Sequence, residues 1–90
     1  MPEIKKKIEI INRLGMHARP AARLVQLTSR FRSDIIFKRG SDQVNGKSIM
    51  GVLMLAAPFG STITVIARGD DADAAITEIE ALFRSKFGEE

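Results

Sequence analysis

Cysteine is absent from this chain of 90 residues. That excludes disulfide scaffolds, cysteine-based zinc sites and thiol nucleophiles, so the fold must stand on packing alone. A reducing compartment suits such a chain. Tryptophan and tyrosine are also absent, and there is a single histidine. One histidine without cysteine cannot assemble a nitrogen- or sulfur-based ligand set, so no metal and no cofactor are expected. No apolar run approaches the roughly 18 residues of a membrane span. The run Lys5-Lys6-Lys7 has no apolar stretch after it, so neither a signal peptide nor membrane insertion is expected. The run itself reads most simply as a solvated strand end. The expected compartment is the cytoplasm.

What is present is ordinary for a folded protein. Hydrophobic residues are 44% of the chain and charged residues 28%, which argues against long disordered tracts. A chain this short buries only roughly 60–65% of its unfolded surface. One domain over residues 1–90 is expected, with one core and no deep walled cleft. The net charge of +3 suits an acidic partner or an anionic group, but falls short of a dedicated nucleic-acid surface.

Periodicity predicts the elements. Ile4 to Ile11 alternates as a strand, and Asn12 to Met16 is a loop. From His17 to about Ser29 the pattern is helical, with Ala21, Leu24, Val25 and Thr28 on one stripe. Pro20 is tolerated only in a first turn, which sets the helix start close to His17. Ile35 to Lys38 and Gln43 to Asn45 read as a hairpin around Arg39 to Asp42. Ser48 is the N-cap of a short helix to about Leu55. Thr62 to Arg68 alternates again, and a last helix runs from Asp70 or Asp71 to about Phe87. This order (βαββαβα) with two right-handed split crossovers predicts an α+β fold, an antiparallel sheet covered by helices on one side. The open side should carry Lys5, Lys7, Glu9, Thr62 and Thr64.

Three features could carry chemistry. His17 lies at a helix mouth, after Gly15, which can shape the entry to the helix. The amides of Ala18 and Arg19 have no intrahelical partner there, and with the helix dipole they form an anion site. Arg19 adds a permanent cation. Such an imidazole is either a plain cap or surface residue, or a neutral nucleophile toward phosphorus that then holds the phosphoryl group. Ser48 has a full structural explanation as a cap, and is alternatively a phosphorylation site. The helix it opens is too short to bury all its apolar residues. Val52 and Leu55 face inward, while Ile49, Met50 and Leu53 are expected to form an exposed docking patch. Gly46-Lys47-Ser48 is out of register with Gly40 for a nucleotide-binding loop, and no hydrolase elbow is present.

Gly15-Met16-His17-Ala18-Arg19-Pro20-Ala21 and Lys47-Ser48-Ile49-Met50-Gly51-Val52 together resemble two motifs of the histidine-containing phosphocarrier protein (HPr) family of the phosphoenolpyruvate-dependent phosphotransferase system. The resemblance covers the whole chain in length and element order. It implies an open-faced β-sandwich of four antiparallel strands and three helices. It also implies that His17 is phosphorylated at Nδ1 by enzyme I and passes the group to a histidine of IIA-type proteins. Arg19 would stabilise the phosphoryl group, Ser48 would be the target of an HPr kinase/phosphorylase, and Ile49, Met50 and Leu53 would dock the partners. The protein would be a monomeric carrier and not a turnover enzyme. Asn12 to Met16 and Ala81 to Phe87 look more like the nitrogen-regulatory (NPr) branch, while Lys47 to Val52 is more like the sugar-transport branch controlled by serine phosphorylation.

Two other functions stay open at the level of sequence. RNA-recognition modules share the order of the first six elements, but here Phe37 is the only strand aromatic available for stacking. A purely regulatory protein docking through the Ser48 helix would have no need of His17.

Overall fold

The structure, a computed structural model, describes residues 2–89. Met1 and Glu90, the ends of the expected domain, lie outside the described residues. The elements are β1 (Glu3–Glu9), α1 (Ala18–Thr28), β2 (Asp34–Arg39), β3 (Asp42–Asn45), α2 (Ile49–Met54), β4 (Thr62–Arg68) and α3 (Ala72–Arg84), followed by a 3₁₀ turn at Lys86–Gly88. The strands form one antiparallel sheet in the order β1-β4-β2-β3. The fold is thus the expected open-faced α+β sandwich.

The period-2 patterns decide the two faces of the sheet. Ile8, Ile35, Phe37, Ile63, Val65 and Ala67 point toward the helices and are buried. They meet Leu24 of α1, Val52 of α2, and Ile76, Ile79 and Phe83 of α3 in a continuous core. Lys5, Lys7, Glu9 and Thr62 are exposed, as expected for the open face, and Thr64 is half-buried. Ile66 departs from that polar pattern: it is buried on the open face, in register with Lys5 and Ile36. Phe37 belongs to the core, so the one strand aromatic is not offered for base stacking.

The hairpin strands run slightly longer than expected, Asp34–Arg39 and Asp42–Asn45, which takes Arg39 and Asp42 out of the turn, and the ends of β1 and α3 also differ. β1 ends at Glu9 and not at Ile11, although Ile10 still bonds across to Gly60 and Ser61 at 2.8 Å. α3 stops at Arg84, because Lys86 and Phe87 both take a φ of 58° and reverse the chain. The reversal keeps the Phe87 ring in the core, 4.9 Å from that of Phe83. Arg23 of α1 holds the reversed turn by donating to the carbonyl of Phe87.

Asp71 caps α3 by position but makes no side-chain cap bond. Its carboxylate instead accepts from the amides of Arg32 (2.8 Å) and Ser33 (2.9 Å) and from the Ser33 hydroxyl, tying the entrance of β2 to that of α3. The Ser33 hydroxyl, then the Arg32 amide, hold this carboxyl below its ordinary value. A depressed native value means that the stabilisation is present at neutral pH and is lost as pH falls through that value. Asp71→Asn should therefore lower Tm near neutral pH and flatten the acid limb of the stability curve. Thermal melts from about pH 7 to about pH 3 check this; an acid limb as steep as that of the unaltered chain would contradict it.

Candidate functional site

The site is assembled at the mouth of α1. Gly15 has a φ of +71°, and a Cβ there would stand 2.8 Å from the carbonyl oxygen of Ala57. Glycine is therefore required both by conformation and by the close approach of the 57–59 backbone. The Met16 amide donates to that same Ala57 oxygen at 2.8 Å, and Met16 is buried. The loop is clamped from within as well. Asn12 is buried, its amide donates to the Gly15 carbonyl at 2.8 Å, and the Gly15 amide returns a bond to the Asn12 carbonyl at 3.0 Å.

His17 follows as the N-cap of α1, with extended backbone and no side-chain cap bond. The plain capping role is thus not the one its side chain performs. The first intrahelical bond runs from the Ala21 amide to the His17 carbonyl at 3.0 Å. Pro20 has no N–H to leave unpaired. Among the described residues, the amides of Ala18 and Arg19, at the positive end of the helix, have no partner. The His17 side chain is 38% exposed, so a partner protein can reach it. Arg19 is exposed and makes no hydrogen bond to the ring among the described residues, though its charge reaches the neighbouring Glu89.

Glu89 is the member of the site that periodicity and motif left out. One carboxylate oxygen lies 2.8 Å from His17 Nε2, and the other accepts from the Asn12 amide at 2.9 Å. The Asn12 bond first, and the His17 bond after it, hold the Glu89 carboxyl below its ordinary value. Its contact with His17 spans 72 positions of chain, so no local pattern could announce it.

Ser48 and the apolar patch occupy α2. The Ser48 hydroxyl accepts from the Gly51 amide at 3.1 Å and is half-buried. It shares no hydrogen bond with the His17 loop among the described residues. Ile49 and Met50 are exposed as expected, Met50 to 65%. Leu53 is not: it is partly buried against the core, while Met54 is 74% exposed. With six residues in α2, a small rotation of the helix decides which side chain faces water. Leu14 and Phe59, both exposed, add apolar surface beside the Gly15 clamp. They sit in loops, where apolar periodicity carries no signal.

Residues 4–85 match the family model described as the PTS HPr component phosphorylation site. A phosphocarrier protein HPr of Treponema pallidum is 48% identical over 87 residues, covering 97% of this chain and 99% of the relative. A phosphocarrier protein NPr of Shewanella violacea is 40% identical over 99% of this chain and 98% of its own length. A crystal structure of HPr from Thermoanaerobacter tengcongensis superposes with a TM-score of 0.91 at 46% identity, covering 100% of this chain and 99% of that one.

Proposed function

Because the chain belongs to the HPr family of phosphocarriers of the phosphotransferase system, we propose that His17 is its phosphoryl acceptor and donor. In this account the cytoplasmic, monomeric carrier takes the phosphoryl group from phosphorylated enzyme I onto His17 and delivers it to a histidine of a IIA-type protein. The single observation that carries the assignment is the imidazole at the mouth of α1, 38% exposed, beside the amides of Ala18 and Arg19, which have no partner among the described residues.

Those parts suit a group that must be held and then released. The ring supplies a nitrogen lone pair to phosphorus. The two amides stabilise the charge that spreads over the equatorial oxygens during transfer, and the guanidinium of Arg19 is proposed to join them. The site is open, so the partner completes it and supplies the other nucleophile. Ile49, Met50 and the neighbouring Leu53 give the partner an apolar seat next to α1, to which Met54, Leu14 and Phe59 add. The direct test is a chase. Carrier labelled through enzyme I and phosphoenolpyruvate is separated and mixed with a IIA-type protein; the label should leave this chain and appear on the acceptor. Label that stays on the carrier would contradict a carrier role.

Ser48 is the proposed regulatory position. A phosphate there would add negative charge, which the start of α2 favours, and would place it beside the apolar seat. Ser48→Asp should retain the cap and the Tm but slow labelling of His17 about tenfold, through weaker docking. Ser48→Ala should do the reverse, costing about 1 kcal/mol of stability through the lost cap with the labelling rate kept. Denaturant unfolding and labelling rates of both variants separate the two effects. An unchanged rate in Ser48→Asp would count against regulation at this residue.

A further inference from the structure

The hydrogen bond between Glu89 and His17 assigns a part to each of the two ring nitrogens. We propose that Glu89 is a positioning residue for His17: its carboxylate holds the ring with the proton on Nε2 and the lone pair on Nδ1, and steadies the positive charge the ring gains when it is phosphorylated. The inference rests on His17 being the phosphoryl acceptor.

The geometry is built, not incidental. The three residues before Glu89 all have left-handed backbone, with φ of 58° at Lys86, 58° at Phe87 and 76° at Gly88. Two of these are not glycine, and such a conformation costs each of them about 1–2 kcal/mol. The turn is retained by the burial of Phe87, by the Arg23 guanidinium on its carbonyl, and by the Glu89 amide donating to the Lys86 carbonyl at 2.9 Å. Its effect is to deliver one carboxylate to the mouth of α1. There the buried Asn12 orients it. One amide proton of Asn12 is fixed on the Gly15 carbonyl, and the other meets Oε1 of Glu89, which turns Oε2 toward the imidazole.

The chemistry follows from what each group can do. An ionised carboxylate only accepts hydrogen bonds, so the nitrogen facing it must carry a proton. In the neutral ring the lone pair then lies on Nδ1. The carboxylate accepts from Asn12 and His17 and not from the amides of Ala18 and Arg19, so the proposed anion site is left free for the incoming group. In the transfer step the Nδ1 lone pair forms a bond to phosphorus. The bond from phosphorus to the donor atom of enzyme I breaks, and its electron pair leaves with the donor. No proton moves: Nε2 keeps its hydrogen, the ring becomes cationic, and that charge forms against Glu89. A carboxylate behind a catalytic histidine has the same two effects, on tautomer and on developing charge, in hydrolytic triads.

The test uses the full chain with ¹⁵N-labelled histidine, unaltered and as Glu89→Ala. The ring ¹⁵N shifts are recorded at a pH where the imidazole is neutral, and the initial rate of labelling by enzyme I and phosphoenolpyruvate is measured in parallel. The unaltered chain should show a protonated-type Nε2 and a lone-pair-type Nδ1. In Glu89→Ala the two shifts should move toward each other as the tautomers mix, and labelling should slow about tenfold, the effect of losing one charge-assisted hydrogen bond. Identical ring shifts, or a rate within about twofold of the unaltered chain, would overturn the role of Glu89. Failure of the unaltered chain to be labelled at His17 would overturn the acceptor assignment instead. The ring shifts report the Glu89 contact without any transfer, so the two failures are told apart.

Discussion

His17→Ala takes up no label from enzyme I and phosphoenolpyruvate, while unfolding at nearly the same temperature as the unaltered chain. The loss should exceed about a thousandfold, because the nucleophile itself is removed. The chain holds no second imidazole and no thiol to take its place. Serine and threonine hydroxyls are poor nucleophiles without an adjacent base, and the one imidazole that could act as a base is gone. Stability is spared because the ring makes no cap bond to α1 and is over a third exposed. Its one polar partner among the described residues is Glu89, whose other oxygen remains held by Asn12. Labelling at near-normal stoichiometry in this variant would mean that the acceptor lies elsewhere.

Gly15→Ala lowers stability by about 2–4 kcal/mol, combining left-handed strain with overpacking against a backbone that cannot step aside. The added methyl would stand 2.8 Å from the Ala57 oxygen and 3.0 Å from the Pro58 Cα. Relief requires the 12–16 loop to lift from the 57–59 segment, which breaks the bond from the Met16 amide to Ala57 and shifts His17 relative to the amides behind it. Labelling should therefore slow together with the loss of stability. Gly40→Ala is the control. Gly40 also has a positive φ, of +60°, but nothing lies within 4 Å of an added Cβ. Its cost should be about 1 kcal/mol, with labelling unchanged. Denaturant unfolding of both variants measures the difference. Equal costs would show that the close approach at Gly15 contributes nothing.

Much of the frame was legible because it depends on short-range pattern. Thr62 to Arg68 alternates except at Ile66, and β4 occupies those residues. Pro20 confines the helix start to the residues just before it, and α1 begins at Ala18 with His17 as its cap. Ser48 is followed by an unbroken apolar turn and caps α2 with its hydroxyl. What was not legible depends on tertiary closure. Asp71 bonds back to Arg32 and Ser33 across 39 and 38 positions, so its hydrogen bonds serve a loop and not the amides of its own helix. Leu53 is partly buried where exposure was expected, because a helix of six residues does not set its own rotation. Glu89 enters the site through left-handed backbone at Lys86 and Phe87, residue types that give no sequence signal for such a turn. The helix mouth was therefore visible at His17, Ala18 and Arg19, and the carboxylate behind the imidazole was not.

The most direct measurement is the chemical identity and location of the phosphoryl group after incubation with enzyme I and labelled phosphoenolpyruvate. The account predicts one group per chain, on a peptide containing His17, lost in acid and kept in base as a phosphorus–nitrogen bond requires. An acid-stable product on a hydroxyl residue such as Ser48, or no incorporation by a folded chain, would contradict it.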